Sequence, residues 1–220
     1  MAKNVVVKAE KVYGRKKKYS SIKLILSISL LILALVFIVL GVIYKGGKFT
    51  ITLDKRLSSE SGIVIYEDSE IKESKRKLSA RDLEFMDNIS IDWIPQNIDT
   101  ESNGSHNGEN YIAYTFYLIN SGKDTLSYDS EMTIENVTNG VDEAIRVELF
   151  VNGEKTVYGK TKSDGSGKES DCDKEFASST EVMKDRREKL GPGEKDKYTV
   201  VIWLEGNDPD CVDKIIGGTM

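Results

Sequence analysis

The sequence predicts a mainly β protein: an antiparallel β-sandwich ectodomain, of jelly-roll or immunoglobulin-like type, preceded by one N-terminal transmembrane helix. Two observations predict this fold class. Residues 24–44 form an apolar run without a charged side chain, and short segments with alternating apolar residues follow through the rest of the chain. Turn-forming residues separate these segments and no amphipathic helical pattern lies between them, which is typical of an antiparallel sandwich.

Residues 24–44 are predicted to cross a membrane as a helix. At about 1.5 Å per residue the run spans roughly 31 Å, which matches the hydrocarbon core of a bilayer. Only Ser27 and Ser29 interrupt it, so it lacks a polar face. The run is longer than the core of a signal peptide and no A-x-A pattern follows it. An uncleaved signal anchor is therefore favoured, and cleavage near Gly46 and Gly47 is the alternative.

The charges on either side of the run predict its orientation. Residues 1–23 hold eight basic side chains against the single acid Glu10, whereas Lys45 and Lys48 follow the run. Basic flanks stay on the cytoplasmic side of a membrane. We therefore expect a single-pass protein of the cell membrane, with a basic cytoplasmic tail at 1–23 and an extracellular C-terminal domain.

The region after the run is acidic. Residues 50–220 hold 21 basic and 35 acidic side chains, a net charge of −14. A field of this sign disfavours nucleic acid, so no nucleic-acid partner is expected. A solvated acidic surface is the simplest explanation, and cations or basic surfaces are the partners that such a charge would attract.

Residues 45–100 are predicted to hold juxtamembrane strands and a charged stretch that is either a solvated helix or a flexible spacer. The strand-like runs are 49–53, 62–66 and 89–94, and the charged stretch is 68–83. These strands are expected to add to a sandwich core formed by residues 101–220.

The β signal is strongest in residues 101–220. Residues 111–119 are apolar and aromatic on both faces, as in a central strand. Further strands are predicted at 126–134, 145–151, 155–158, 176–183 and 198–204. Along 145–151 the odd positions are apolar, with Arg146 and Glu148 on the opposite face. Asn152-Gly153 then predicts a tight hairpin.

Two segments resemble one family of bacterial proteins. Residues 114–122 (YTFYLINSG), with Leu126 and Tyr128 following, resemble a strand, Asn-x-Gly turn, strand signature of bacterial surface sandwiches. Residues 190–194 (LGPGE) and 198–211 (YTVVIWLEGNDPDC) are similar to the C-terminal part of the camelysin-like and TasA-type family of surface and biofilm-fibre proteins of Firmicutes. Together the resemblance covers about residues 110–217.

The resemblance implies a jelly-roll-like sandwich at the cell surface, in some relatives assembled into matrix fibres. It leads us to expect a membrane-anchored, non-enzymatic protein of assembly or adhesion, acting with a protein partner or by self-assembly. Relatives usually carry a cleavable signal and tend to continue past the Gly-Gly turn into a further strand, whereas we expect this chain to keep its membrane anchor and to end at residues 217–220. Fibre formation is therefore left open.

The sequence offers little for catalysis. His106 is the only histidine and lies in a polar loop, so an H-E-x-x-H zinc helix cannot be built, and no G-x-S-x-G elbow occurs. No catalytic residue is predicted. The alternatives kept open are a camelysin-like hydrolase and an accessory or sensory subunit of a membrane complex.

The two cysteines, Cys172 and Cys211, both lie in the predicted outer region. An even pair in an oxidising compartment suggests one disulfide, and two free thiols are the alternative. The bridge would close a loop of about 40 residues, worth about 4 kcal/mol in the chain-entropy model.

Acidic and amide side chains crowd two loops, and this crowding is the only constellation that suggests a ligand. The first set follows the last predicted strand: Glu205, Asn207, Asp208, Asp210 and Asp213. The second set, Asp164, Asp171 and Asp173, lies in the loop 161–174 near the other cysteine. A disulfide would bring the loops together, and calcium takes six to eight oxygen ligands. A solvated turn without a cofactor is therefore the expectation, and calcium at the first set is the alternative.

Overall fold

A computed structural model describes residues 10–43, 49–68, 75–81, 83 and 85–220. The chain separates into two compact units, Met1–Lys45 and Gly46–Met220. The first contains helix α1 (Glu10–Ile43). Its segment Ser21–Ile38 has a mean hydropathy of 2.7, and the unit buries none of it. This helix is long and apolar enough to cross a membrane, and its place near the N-terminus also fits a signal sequence.

The second unit is mainly β. It contains helices α2 (Lys55–Glu60) and α3 (Ile98–Glu101) and three single 3₁₀ turns, Ile91–Trp93, Val141–Glu143 and Asp213–Ile215. The strands are β1 (Thr50–Thr52), β2 (Ile63–Tyr66), β3 (Lys77–Ser79), β4 (Gly104–Ser105), β5 (Tyr111–Asn120), β6 (Leu126–Thr133), β7 (Ile145–Val151), β8 (Glu154–Gly159), β9 (Lys174–Glu175), β10 (Glu181–Leu190) and β11 (Lys195–Leu204).

The strands form one large sheet and two small ones. The seven-stranded sheet has the order β2-β5-β11-β7-β8-β9, and β4 also pairs with β5. The small sheets are the antiparallel pairs β1–β3 and β6–β10. Pairing in the large sheet is antiparallel except between β8 and β9. The last long strand, β11, therefore lies between β5 and β7 at the middle of the sheet.

Both faces of the large sheet are buried, because alternate residues of its central strands point to different cores. On β11, Val200 and Ile202 belong to the larger core, whereas Val201 and Trp203 belong to the smaller one. Residues outside the large sheet complete the larger core: Leu78, Tyr128, Ile134, Val182 and Leu190. The smaller core is completed by Ile89, Ile94, Ile98 and Cys172.

A buried polar contact joins the β6–β10 pair to the large sheet. The Tyr128 hydroxyl on β6 donates to Oδ2 of Asp196 on β11 at 2.7 Å. It also lies 2.7 Å from the hydroxyl of Tyr198. The Asp196 carboxylate also accepts hydrogen bonds from Asn152 and Arg187. Because each partner is paired, this polar group can lie inside the core without a large desolvation cost.

The structure confirms strands in the predicted runs 49–53, 62–66, 111–119, 126–134, 145–151, 155–158 and 198–204. It also confirms that the protein is mainly β with one N-terminal apolar helix. The hairpin after β7 is formed by Asn152 and Gly153, whose φ angles of 54° and 89° are both positive. Positive φ at both central residues is what a type I′ turn requires.

The strand predicted at 89–94 is wrong. Ile89 makes one bridge to Glu205, and Ile91–Trp93 forms a 3₁₀ turn instead. The backbone N–H of Ile91 donates to the Glu205 carboxylate at 2.8 Å. A side chain therefore satisfies the N–H group that would otherwise bond to a neighbouring strand.

Two charged segments contain strands that alternation did not predict. Within 68–83, Lys77–Ser79 forms β3 and buries Leu78 alone, while residues 69–74 and 82 lie outside the described part of the chain. The strand predicted at 176–183 is confirmed only from Glu181 onward, where β10 begins, and β10 continues to Leu190 through six exposed residues. Its Arg186 lies directly opposite Asp129 of β6, and their side chains form an ion pair at 3.2 Å. Cross-strand pairs of opposite charge support this strand where apolar alternation is missing.

Candidate functional site

The candidate site is built around Arg146, which lies on β7 and is only 1% exposed. Its neighbours Ile145 and Val147 belong to the larger core, so Arg146 points to the opposite face of the sheet. Gly159 is its partner on β8. A Cβ on Gly159 would lie 3.2 Å from Cδ of Arg146 and 2.5 Å from Sγ of Cys172. Glycine at this position therefore gives room for the arginine and the thiol.

Arg146 joins the two acidic loops. Its Nε donates to Oδ2 of Asp171 at 2.8 Å, and its Nη2 donates to Oδ2 of Asp208 at 2.6 Å. Burial alone would lower the pKa of Arg146, but the hydrogen bonds and charge of these carboxylates raise it, so the guanidinium stays charged. The loop 161–174 and the turn after β11 thus meet at a buried cation.

Three carboxylates converge beside this cation: Glu169, Asp208 and Asp210. One oxygen atom of each carboxylate lies within 4.8 Å of the chosen oxygen of each of the other two. Glu169 is only 7% exposed, and no described residue donates a hydrogen bond to its carboxylate. Burial, followed by the negative charge of Asp208, raises its pKa. The cluster therefore holds a largely buried acid, whose carboxylate oxygens keep some contact with solvent, next to two further acids.

Of the five residues that the sequence singled out for calcium, the structure places two in this cluster, Asp208 and Asp210. Glu205 lies outside the cluster and forms other hydrogen bonds. Its Oε2 accepts from the Ile91 N–H at 2.8 Å and from Trp203 Nε1 at 3.0 Å. Asn207 donates from Nδ2 to the Ser90 hydroxyl. Asp213 lies exposed in a 3₁₀ turn outside the carboxylate group.

Glu169 is the member that sequence reasoning missed. It lies in the acidic loop 161–174, but nothing in the local sequence separates it from the other acids of that loop. Asp171 pairs with Arg146, and Asp173 accepts a hydrogen bond from the Val157 N–H at 2.8 Å. Asp164 caps its own turn by accepting from the Ser166 N–H. Only the packing of the loop shows which acid faces the turn after β11.

Both cysteines are free thiols in the structure, so the disulfide predicted between Cys172 and Cys211 is not part of it. Cys172 is buried in the smaller core, and this burial raises its pKa to about 12. Cys211 is half-buried, and burial raises its pKa as well. The two loops that the bridge was expected to hold together are instead joined through Arg146.

His106 supports its loop. Its Nδ1 lies 2.9 Å from the carbonyl oxygen of Gly104, and its Nε2 lies 3.2 Å from that of Ile98. Both ring nitrogens thus face backbone carbonyls of β4 and α3. This arrangement links the loop to the segment that covers the smaller core.

No protein-family model matches the chain, and no curated protein and no solved structure does.

Proposed function

We propose that the chain is a single-pass membrane protein whose extracellular β-sandwich acts non-enzymatically in assembly or adhesion. The observation that carries this proposal is helix α1, whose segment Ser21–Ile38 is apolar and exposed along its whole length. Exposed apolar area of this size is unfavourable in water and favourable in a bilayer. The basic residues before the segment support a cytoplasmic N-terminus.

The sandwich proposal is supported by the way the sheets share a core. The β6–β10 pair contributes Tyr128 and Val182 to the core on one face of the large sheet. Packing of two antiparallel sheets over one core is the architecture of jelly rolls and related sandwiches. This architecture agrees with the resemblance of residues 110–217 to the camelysin-like and TasA-type family. Membership of that family is a part of the proposal.

An assembly or adhesion role is supported by charge and by strand edges. Each strand of the β6–β10 pair has one edge that no described strand occupies. Such edges offer backbone donors and acceptors to another chain. The exposed ion pairs of Arg186 and Lys184 along this sheet would select a charged partner over an apolar one.

The engagement of His106 with two backbone carbonyls speaks for the non-enzymatic role over a hydrolase. Among the described residues no serine or cysteine hydrogen-bonds to its ring. A general base needs its nucleophile within hydrogen-bond reach.

Anchoring and orientation are tested with the full chain, tagged at each end, in intact cells. Protease added outside should remove the C-terminal tag and spare the N-terminal one, and the protected fragment should resist alkaline extraction from membranes. The matched variants are Leu31→Lys with Ile32→Lys, and Leu31→Ala with Ile32→Ala. Each lysine costs about 3 kcal/mol at the centre of a membrane helix, so the first pair should lose membrane retention and the second should keep it. A protected C-terminal tag would contradict the orientation.

Assembly is tested by cross-linking the same cells. Multiples of the 24.6 kDa chain would support self-assembly. One product with a second membrane protein would instead identify an accessory subunit, and monomer alone would contradict the assembly role.

A further inference from the structure

The carboxylate cluster of Glu169, Asp208 and Asp210 carries more negative charge than its surroundings compensate. Arg146 pairs with Asp171 and Asp208. Neither Glu169 nor Asp210 forms an ion pair with any basic side chain in the described part of the chain. Glu169 is in addition more than nine-tenths buried and has no hydrogen-bond donor to its carboxylate. Among the described residues only solvent can satisfy this largely buried carboxylate, and a cation that reaches it would replace that partial hydration.

We propose that Glu169, Asp208 and Asp210 bind one hard divalent cation, with Ca²⁺ as the expected ion. All three donors are carboxylate oxygens, which suit calcium and magnesium rather than the nitrogen and sulfur ligands that zinc favours. Two oxygens at 2.3–2.6 Å from a calcium ion are at most about 5 Å apart. The separations within 4.8 Å therefore fit a common calcium ligand sphere, which water completes.

Arg146 and the cation would use different parts of the same carboxylate. The guanidinium contacts Oδ2 of Asp208 at 2.6 Å, whereas Oδ1 accepts the Asp210 N–H at 2.7 Å and, as a carboxylate oxygen, can accept a second contact. The nearby positive charge weakens cation binding. We therefore expect a dissociation constant of about 10⁻⁴–10⁻³ M, as in extracellular calcium modules.

A bound cation would fasten the loop 161–174 to the turn that follows β11. Glu169 belongs to the loop and the two aspartates belong to the turn. Arg146 already makes this connection from the sheet below, and the cation would add a second one. The site does not depend on membrane anchoring or on self-assembly, so it goes beyond the proposed function and can fail separately from it.

The test uses the full chain in detergent micelles after treatment with a chelator. Isothermal titration with CaCl₂ should show one ion per chain. Near-ultraviolet circular dichroism should show that 10 mM CaCl₂ raises Tm by about 3–11 °C, from the ratio of ion to dissociation constant. NaCl of the same ionic strength should not reproduce this shift.

Glu169→Gln and Asp210→Asn should each weaken calcium binding at least tenfold and remove the shift in Tm. Asp164→Asn and Asp213→Asn are the matched controls, because each removes one acid from the same loop or turn outside the cluster. In chelator Glu169→Gln should melt at or above the wild-type temperature, since it removes an unpaired buried charge. This result would separate a lost ligand from a failed fold.

Three results would overturn the proposal. The first is no calcium uptake by the wild type at 10 mM, and the second is an equal shift in Tm with NaCl. The third is calcium binding by the two cluster variants that stays within threefold of the wild type.

Discussion

Replacing Arg146 with methionine should destabilise the β unit more than the loss of any surface cation. Methionine keeps much of the apolar volume but removes the charge that pairs with Asp171 and Asp208. The Asp208 side chain is fully buried, so it would remain as an uncompensated negative charge beside Glu169 and Asp210. Breaking a buried ion pair from one side costs about 3–5 kcal/mol.

The expected fall in melting temperature follows from the size of the unit. Gly46–Met220 is a domain in the size range in which 1 kcal/mol corresponds to about 2–4 °C. Arg146→Met should therefore lower Tm by about 6–20 °C. Near-ultraviolet circular dichroism of the full chain in detergent follows this unit, because both tryptophans, Trp93 and Trp203, belong to it.

Arg186→Met is the matched control. This arginine also pairs with two carboxylates, Asp129 and Glu188, but its side chain is 58% exposed. Water and salt screen both of these exposed pairs, so Tm should fall far less than with Arg146→Met.

A second variant identifies the origin of the loss. Arg146→Met combined with Asp208→Asn removes both charges and should recover part of the lost stability. The reasoning would be refuted if Arg146→Met and Arg186→Met lowered Tm equally, or if the double variant melted at the sum of the two single losses.

Three further changes test other parts of the β unit. Burial opposes ionisation of Asp196, but hydrogen bonds from its neighbours hold its pKa below the ordinary 3.8. The stability that the ionised Asp196 contributes is therefore present above pH 3.8 and is lost as the pH falls through the lowered pKa. Asp196→Asn should therefore flatten the acid limb of Tm measured from pH 5 to pH 2, and an unchanged limb would contradict this. A disulfide-exchange titration at pH 8 should modify Cys211 before Cys172, which is more deeply buried. The chain unfolded without reductant should show two thiols, and a count of zero would support the Cys172–Cys211 disulfide. Gly153→Ala should lower stability by about 1–2 kcal/mol from backbone strain alone, because a Cβ there has no neighbour within 4 Å; unchanged urea unfolding would disprove that strain.

Local patterns were sufficient for the strands that show apolar alternation or a continuous apolar run in the sequence. The hairpin of β7 and β8 is an example, because its turn residues and its apolar alternation lie within a few positions of one another. Only the first three residues of β10, at the end of the predicted run 176–183, could be found in this way. Support for the rest of β10 comes from Asp129 and other residues of β6, which are far away in the sequence.

The site was accessible from the sequence only in part. The crowding of acidic residues predicted that the loop 161–174 and the turn after β11 lie close together. Both segments contribute carboxylates to the cluster. The sequence could not indicate Arg146, since it occupies the polar position of an alternating strand and its partners are 25 and 62 residues away. Nor could it show that Glu205 serves as a hydrogen-bond acceptor inside the structure, because one donor is Ile91, 114 residues earlier.

The central position of β11 affects how the chain folds. β2 and β5 lie on one side of it, and β7, β8 and β9 lie on the other, so the two halves of the large sheet meet only through this strand. Until the ribosome or a translocation channel has released Leu204, β5 and β7 each have an unpaired edge. Pairing between residues so distant in sequence is slow, and exposed edges favour aggregation in the meantime. We therefore expect folding to follow release of the chain rather than to accompany it, which under the proposed topology would leave the polypeptide extended during its passage through the membrane.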